Sequence, residues 1–236
     1  MIHKSFILVV LLFLGQSATS VCQPIEGSFI INYGSFNMSD LKGFQDEIRT
    51  QTPVPVKEIS SFPSYPGFAG KIFAHVGNIR FGLVGGVNSS GSRLSLEDYS
   101  GSFEYNQTAK LVQLGAGLDY HLKREGKWIP SISFQLTRGW TNVLIDEKVV
   151  ANQVVFSDNQ IKFKSSNVIV QPGVGIRRNL SEALFVAMDM GYALDMPSLL
   201  EDNSSASLKL FNNKNEPIGP DWSGYRVSLT FGLVFK

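Results

Sequence analysis

The last twelve residues constrain the fold most strongly, because they alternate without interruption between two kinds of side chain. One face carries Tyr225, Val227, Leu229, Phe231, Leu233 and Phe235, and the other carries Arg226, Ser228, Thr230, Gly232, Val234 and Lys236. Successive side chains of a β-strand point to opposite faces of the sheet. The segment therefore predicts a strand with one continuous apolar face.

The same alternation recurs upstream and predicts eight strands in all. They span residues 27–36, 67–76, 79–88, 110–122, 128–139, 168–177, 183–194 and 225–236. Short connections at 77–78, 123–127 and 178–182 alternate with long polar ones at 37–66, 89–109, 140–166 and 195–221. Outer-membrane barrels have this asymmetry, with tight periplasmic turns and long extracellular loops. We therefore predict an all-β fold, a closed antiparallel up-and-down transmembrane β-barrel of about eight strands.

The apolar faces of such a barrel can point in either direction. A soluble, lipocalin-like barrel holds them inward around an apolar ligand, whereas a membrane barrel turns them outward to lipid. Glycines such as Gly115, Gly117 and Gly173 lie on the opposite face, and the narrow interior of an eight-stranded barrel suits small residues. We therefore expect the apolar face of residues 225–235 to contact lipid. Seven aromatic residues near strand ends are expected to form interfacial girdles: Tyr33, Tyr120, Trp128, Trp140, Tyr192, Trp222 and Tyr225.

Residues 1–20 predict a signal peptide. His3 and Lys4 precede a short apolar run at 5–14, and small residues follow at 18–20. The apolar run is too short to cross a bilayer, which takes about 20 residues. Cleavage after Cys22, lipidation of Cys22 and a buried N-terminal helix are the alternatives. Residues 21–236 then form one barrel domain.

The balance of charges excludes one class of partner. The formal net charge is +1, and charged residues make up only 17% of the chain. A chain with so little excess positive charge has no overall field to attract nucleic acid. We therefore expect no nucleic-acid partner.

Three stretches resemble one family. They are the final strand YRVSLTFGLVFK, the pair NSSGSR (88–93) and DYSG (98–101), and the signal followed at once by a glycine-containing strand. Together they resemble small bacterial outer-membrane barrels of the OmpA/OmpX type, particularly those of Bacteroidota. The resemblance implies outer-membrane location and partners that include outer-membrane lipid and lipopolysaccharide, the barrel-assembly machinery, periplasmic chaperones and an unidentified extracellular partner. Lys236 after Phe235 departs from the family's aromatic-terminated signal.

A catalytic role finds little support in the sequence. Some barrels of this kind modify lipid A with a histidine, a serine and an acidic residue near the outer leaflet. The only histidines after the signal are His75 and His121, and both are expected at the periplasmic end. A structural zinc site takes four ligands, and no phosphate-binding glycine loop is present. We expect no cofactor and no catalysis, with a lipid A-modifying enzyme as the alternative.

Six charged residues are predicted to face the lumen. They are Lys71, Asp119, Arg138, Arg177, Asp189 and Arg226. An unpaired buried charge costs several kcal/mol, so we expect these side chains to pair across the lumen in a structural polar core. A narrow ion path is the alternative, although an eight-stranded barrel filled by side chains is a poor channel.

Residues 37–66 contain a predicted short helix. Ser39 or Asp40 would cap it, and Leu41, Phe44 and Ile48 would share one side. With the aromatic residues of the loops, the helix would form either an exposed recognition surface or a lid over the barrel.

Overall fold

The computed structural model describes residues 24–52, 55–99, 101–123, 126–152, 154–197, 199–202 and 209–235. The signal peptide predicted at residues 1–20, and Cys22, lie outside these ranges. The described elements are β1 (Ile25–Gly34), α1 (Ser39–Gln51), β2 (Lys57–Ser61), β3 (Tyr65–Val76), β4 (Ile79–Asp98), β5 (Gly101–His121), β6 (Ile129–Ala151), β7 (Val154–Asn179), β8 (Leu184–Pro197), β9 (Glu201–Asp202) and β10 (Gly224–Phe235). Among the described residues, no helix is both long and apolar enough to cross a bilayer.

Eight strands form a closed ring. The chain runs up and down through β1, β3, β4, β5, β6, β7 and β8 to β10, which pairs antiparallel with both β8 and β1. β2 adds to β4 and β9 adds to β7 outside the ring. The predicted all-β up-and-down barrel is confirmed. We call the two ends of the barrel the turn end, where residues 77–78 and 180–183 lie, and the hairpin end, opposite it.

The apolar faces point outward. The six outward side chains of β10, on alternate residues from Tyr225 to Phe235, are apolar and exposed, whereas Arg226 and Thr230 on the other face are buried. Tyr225 and Phe235 are ten residues apart, so at about 3.3 Å per residue and a tilt of about 40° the band spans about 25 Å. This orientation is the reverse of a barrel that holds an apolar ligand inside.

Six of the seven predicted girdle aromatics lie on the outer surface. Tyr120 and Trp128 lie near the turn end, and Tyr33, Trp140, Tyr192 and Tyr225 near the hairpin end. Trp222 differs from the prediction, because its side chain is 0% exposed and lies inside the mouth of the barrel. It precedes β10 rather than lying within it, so strand alternation did not determine its direction.

Two of the predicted loops are strands instead. Pairing of β4 with β5 continues without a register shift to Asp98 and Gly101, and that of β6 with β7 continues to Ala151 and Val154. Residues 89–99 with 101–109, and 140–152 with 154–166, therefore form long β-hairpins. The prediction ended these strands too early, because the polarity of their two faces reverses where the apolar band ends.

The helix predicted in residues 37–66 is present, but its start differs from the prediction. The residue before it is Met38, which has a left-handed backbone with φ 47° and no capping side chain. Ser39 and Asp40 are the first residues of the helix itself. Met38 and Leu41 are fully buried in an apolar cluster at the hairpin end, so α1 forms a lid.

Candidate functional site

The turn end of the lumen holds a network of ion pairs centred on Glu26, which is 3% exposed. Oε2 of its carboxylate accepts a hydrogen bond from Arg80 at 2.7 Å, and Oε1 accepts one from Arg177. His75 Nε2 lies 2.9 Å from Oε1. Arg80 also donates to Asp119 at 2.8 Å. These side chains come from β1, β3, β4, β5 and β7, so the network ties most of the ring together.

The structure brings together only some of the six predicted lumen charges. Asp119 and Arg177 belong to the network around Glu26. Lys71 and Asp189 line the next cavity along the lumen, where the Thr230 hydroxyl lies 3.3 Å from a carboxylate oxygen of Asp189.

Arg138 was predicted to face the lumen, and the structure corrects this. Its side chain is exposed on the outer surface, and its Cζ lies 5.9 Å from the ring centroid of Trp140. The cause is the period of the strand, since Arg138 is two residues from both Leu136 and Trp140 and must share their face.

Sequence reasoning missed Glu26 and Arg80, the two residues at the centre of the network. Glu26 shares its face with Ser28 and Ile30, and Arg80 shares its face with Gly82. Their spacing from these lumen residues was the available signal. The signal for Glu26 was missed because this residue lies one position before the predicted start of the first strand.

Side chains fill the middle of the lumen. Gln135 and Gln171 lie opposite each other on β6 and β7, and Gln113 lies beside them at a cavity of about 30 Å³. We call these three residues the glutamine layer. The cavity between Glu26 and Asp189 is about 20 Å³. Each is large enough for a water molecule or two, and neither amounts to an aqueous channel.

Large rings also occupy the lumen where glycine leaves room for them. A Cβ on Gly117 would lie 2.7 Å from the ring of Phe73, and one on Gly232 would overlap the ring of Phe185. Both rings are buried. The glycines on the lumen face therefore make space for aromatic rings as well as for small polar groups.

Arg226 lies where the polar lumen meets the apolar cluster. Its guanidinium donates to the backbone carbonyl oxygens of Ser35 and Trp222, the latter at 2.6 Å. Its Cζ lies 4.7 Å from the ring centroid of Phe36. Carbonyl dipoles and an aromatic face thus solvate this buried cation.

The hairpin end is closed by a plug, which we define as the buried apolar cluster under α1 and residues 218–222. Its buried members are Phe36, Met38, Leu41, Phe62, Leu94, Tyr105, Ala109, Leu111, Val143, Ile145, Phe163, Ile169, Ala193, Leu200, Ile218 and Trp222. Burial raises the pKa of Tyr105 to about 12, so its phenol stays neutral. Gln45 of α1 donates to the carbonyl oxygen of Ser60 at 3.0 Å, which fixes the helix to β2.

Trp222 anchors the plug to the barrel wall. Its indole N–H donates to the Thr141 hydroxyl at 3.0 Å, and its ring packs edge-on against Phe36 at 4.9 Å. The Thr141 hydroxyl in turn donates to Asn167, at 2.9 Å. Asp195 accepts hydrogen bonds from Asn167 and from the Trp222 backbone. Aromatic packing and a buried polar network therefore hold the same residue.

The hairpins extend beyond the plug. Val154, Val155 and Phe156 are exposed near the tip of the β6–β7 hairpin, and Tyr99 is exposed at the tip of the β4–β5 hairpin. Exposed apolar clusters on soluble parts of proteins are typical of interaction sites. Within the part of the chain that the structure describes, no group of three or more His, Cys, Asp or Glu side chains is placed to hold a metal ion.

Comparisons with known proteins returned only distant structural similarity. No family model and no curated protein matches the chain. The chain is similar to Neisserial surface protein A, at 12% identity and a TM-score of 0.37, covering 91% of this chain and 96% of that one. It is similar to the attachment invasion locus protein Ail of Yersinia pestis, at 13% identity and a TM-score of 0.36, covering 90% and 98%. It is also similar to the outer membrane protease OmpT of Escherichia coli, at 10% identity and a TM-score of 0.38, covering 92% and 98%. The fold assignment rests on the strand pairing of the chain itself.

Proposed function

We propose that this protein is an integral outer-membrane β-barrel, of the OmpA/OmpX-like kind, with a structural or surface-recognition role. The observation that carries the proposal is the apolar outer band, bounded at both ends by exposed aromatic residues. Soluble monomers rarely expose contiguous apolar patches larger than a few hundred Å². A barrel whose outer surface is apolar all around is stable in hydrocarbon rather than in water, and this favours a membrane location.

The proposed orientation places the turn end in the periplasm and the hairpins outside the cell. Short turns face the periplasm and longer connections face outward in known outer-membrane barrels. The chain then reaches this membrane through its N-terminal signal, with periplasmic chaperones and the assembly machinery acting on strand β10. Outer-membrane lipid and lipopolysaccharide surround the finished barrel.

Recognition by the hairpins is favoured over transport, because the lumen is filled. The charge network, the glutamine layer and the plug lie in series along the barrel axis. By contrast, the hairpin tips carry exposed apolar side chains, Phe156 among them. We infer an extracellular partner that contacts these tips.

Membrane insertion is tested by extraction and by migration on gels. The protein should stay in the membrane fraction in carbonate or urea. Its gel band should also migrate differently in a boiled sample and in an unheated one. Release by carbonate together with a band that does not shift would contradict the proposal.

Orientation is tested by labelling intact cells with a membrane-impermeant maleimide. Tyr99→Cys places a thiol at a hairpin tip, and Lys123→Cys places one at the turn end. The parental chain, with Cys22 as its only cysteine, supplies the background. We expect Tyr99→Cys to be labelled in intact cells and Lys123→Cys only after permeabilisation. The reverse pattern would contradict the orientation.

We further propose that the barrel is not an enzyme. His75 and His121 both lie at the turn end, with ring centroids 6.4 Å apart, which in the proposed orientation is away from the outer leaflet. The lipid A profile of cells should therefore be the same with and without the gene. A profile that depends on the gene and is lost in the double variant His75→Ala and His121→Ala would contradict this and favour a lipid A-modifying enzyme.

A further inference from the structure

Four basic side chains lie together on the outer surface at the hairpin end. Lys110, Lys162, Lys164 and Arg138 are all exposed on neighbouring strands β5, β6 and β7. We call them the basic patch. Lys110 pairs with Asn142 and Asn142 pairs with Lys164, so the Cα atoms of the two lysines are about 10 Å apart at the usual strand spacing.

The patch encloses a shallow groove. The groove has a volume of about 190 Å³, and Lys110, Lys162, Lys164, Thr108, Asn142 and Leu144 lie along it. Three lysine side chains thus border one shallow groove, whose own surface is mostly apolar. Lysine is a compact point charge with three donors and binds phosphate in this way in many proteins.

The acidic neighbours of the patch lie on β9 and farther out on β6, and Asp202 of β9 lies opposite Phe163, between the two lysines of β7. Glu201 lies opposite Lys164 on β9, and Lys209 lies opposite Glu201 in turn. The carboxylate of Asp146, farther out on β6, accepts a hydrogen bond from Gln160 at 2.7 Å.

The patch lies at the edge of the apolar band. One step toward the band, the outer surface carries Val112 and Trp140, which are adjacent in register, and Trp140 belongs to the aromatic girdle. Arg138 lies one step deeper still, and its guanidinium approaches the Trp140 ring. Long basic side chains near a membrane boundary extend toward its polar layer. Arg138 therefore adds a charge at the height of lipid headgroups.

We propose that the basic patch binds the phosphate of a phosphorylated glycolipid in the outer leaflet. The inference rests on the proposed function, because it needs the hairpin end to face outward. Charge complementarity selects a phosphate, and the position beside Trp140 selects a lipid as its carrier. A second shallow groove, of about 460 Å³, shares Thr108 and includes the polar side chains of Ser89 and Asn106, which suit the hydroxyl groups of a sugar.

The proposal is tested with the full barrel in detergent, titrated with bis-phosphorylated lipid A and followed by native mass spectrometry. The triple variant Lys110→Gln, Lys162→Gln and Lys164→Gln should lose at least tenfold in affinity, which corresponds to about 1.4 kcal/mol. Replacement of the same three lysines by arginine should preserve the affinity within about threefold, since arginine keeps the charge.

The matched control changes three other exposed lysines of the hairpin end, as Lys57→Gln, Lys148→Gln and Lys214→Gln. It alters net charge equally, so an affinity within twofold of the unmodified protein is expected. Equal losses in the patch and control variants would overturn the proposal, because they would indicate a general charge effect.

The ligand itself is tested by changing the probe. Lipid A without phosphates should bind the unmodified barrel as weakly as the phosphorylated form binds the glutamine variant; equal binding of both lipids would overturn the proposal. Competition by inorganic phosphate at equal concentration would overturn the lipid assignment. A barrel that passes the extraction and labelling tests but shows no phosphate-dependent binding contradicts this inference alone, and leaves the proposed function intact.

Discussion

Replacement of Trp222 by alanine tests whether the plug depends on a single anchor. The Trp222 side chain is fully buried, contacts Phe36 edge-on and donates to the Thr141 hydroxyl. Residues 218–221 and α1 form the rest of the cover, so loss of the indole ring removes its packing against Phe36 and its hydrogen bond to Thr141 of the barrel wall. The strand pairing of the barrel does not involve Trp222.

The expected cost is several kcal/mol and applies to the plug alone. A buried tryptophan covers about 150–250 Å², which at about 25 cal/mol per Å² corresponds to about 4–6 kcal/mol. Measured replacements of large core aromatics by alanine cost about 3–5 kcal/mol. We take about 4 kcal/mol, which raises the equilibrium constant for local opening of the plug roughly a thousandfold.

Hydrogen exchange measures this opening directly. The amide of Leu200 donates to Ile218, that of Leu210 to Leu200, and that of Ile218 to Leu210. We expect the protection of these amides to fall roughly a thousandfold in Trp222→Ala, in proportion to the opening constant. Amides in the middle of β10 should keep their protection, because they belong to the ring.

Trp140→Ala is the matched control, since it deletes the same side chain at a position that is 44% exposed. It should leave exchange within the plug unchanged. Unchanged protection in Trp222→Ala, or equal loss in both variants, would refute the anchoring role. Neither variant should conduct ions in planar bilayers, because the glutamine layer and the network around Glu26 still fill the lumen.

Two further predictions concern the lumen and the outer surface. Glu26→Gln leaves the buried Arg177 without the carboxylate that it pairs with, and should cost about 3–5 kcal/mol in urea unfolding of the vesicle-bound barrel. Glu104→Gln, in an exposed pair with an arginine, should cost about 0–1 kcal/mol; equal costs would contradict the importance of the network. Met188→Arg, midway along the apolar band, should cost about 2–4 kcal/mol in the same assay if lipid surrounds that position. Val154→Arg is the control, because both side chains are 56% exposed but Val154 lies on a hairpin; equal costs would argue against a membrane around the band.

The ring of strands could be predicted from the sequence because lipid and lumen impose opposite demands on alternate residues. In β10 every outward position is large and apolar, and the inward positions include Arg226, Ser228, Thr230 and Gly232. Because lipid and lumen lie on opposite sides of each strand, apolar and polar side chains alternate with a period of two, and a single sequence is enough to detect this alternation. The closure of the barrel follows from the number of such strands and the lengths of their connections.

The site was harder to predict, because its residues meet only in three dimensions. Glu26, Arg80 and Arg177 come from β1, β4 and β7, and nothing in their sequence spacing pairs them. Arg138 was placed wrongly for a different reason. By the strand period it shares the outward face of Leu136 and Trp140, and a long side chain at the edge of the band can reach polar surroundings.

The mispredicted hairpins carry information about the membrane boundary. Within the band of β5, the outward side chains Val112 and Leu114 are apolar, whereas farther out Lys110 points outward and Leu111 and Ala109 are buried inside. The strand and its register continue, but the apolar face changes sides, since lipid outside gives way to water and the polar lumen gives way to the plug. A pattern search reports such a reversal as the end of a strand. The reversal lies one outward position beyond Trp140, next to the aromatic girdle. The change of apolar face and the aromatic girdle therefore indicate the same membrane boundary from different residues. Lys110 and Lys164 then occupy the first outward row beyond Trp140, and Lys162 the next, which is the height at which a lipid phosphate would meet them.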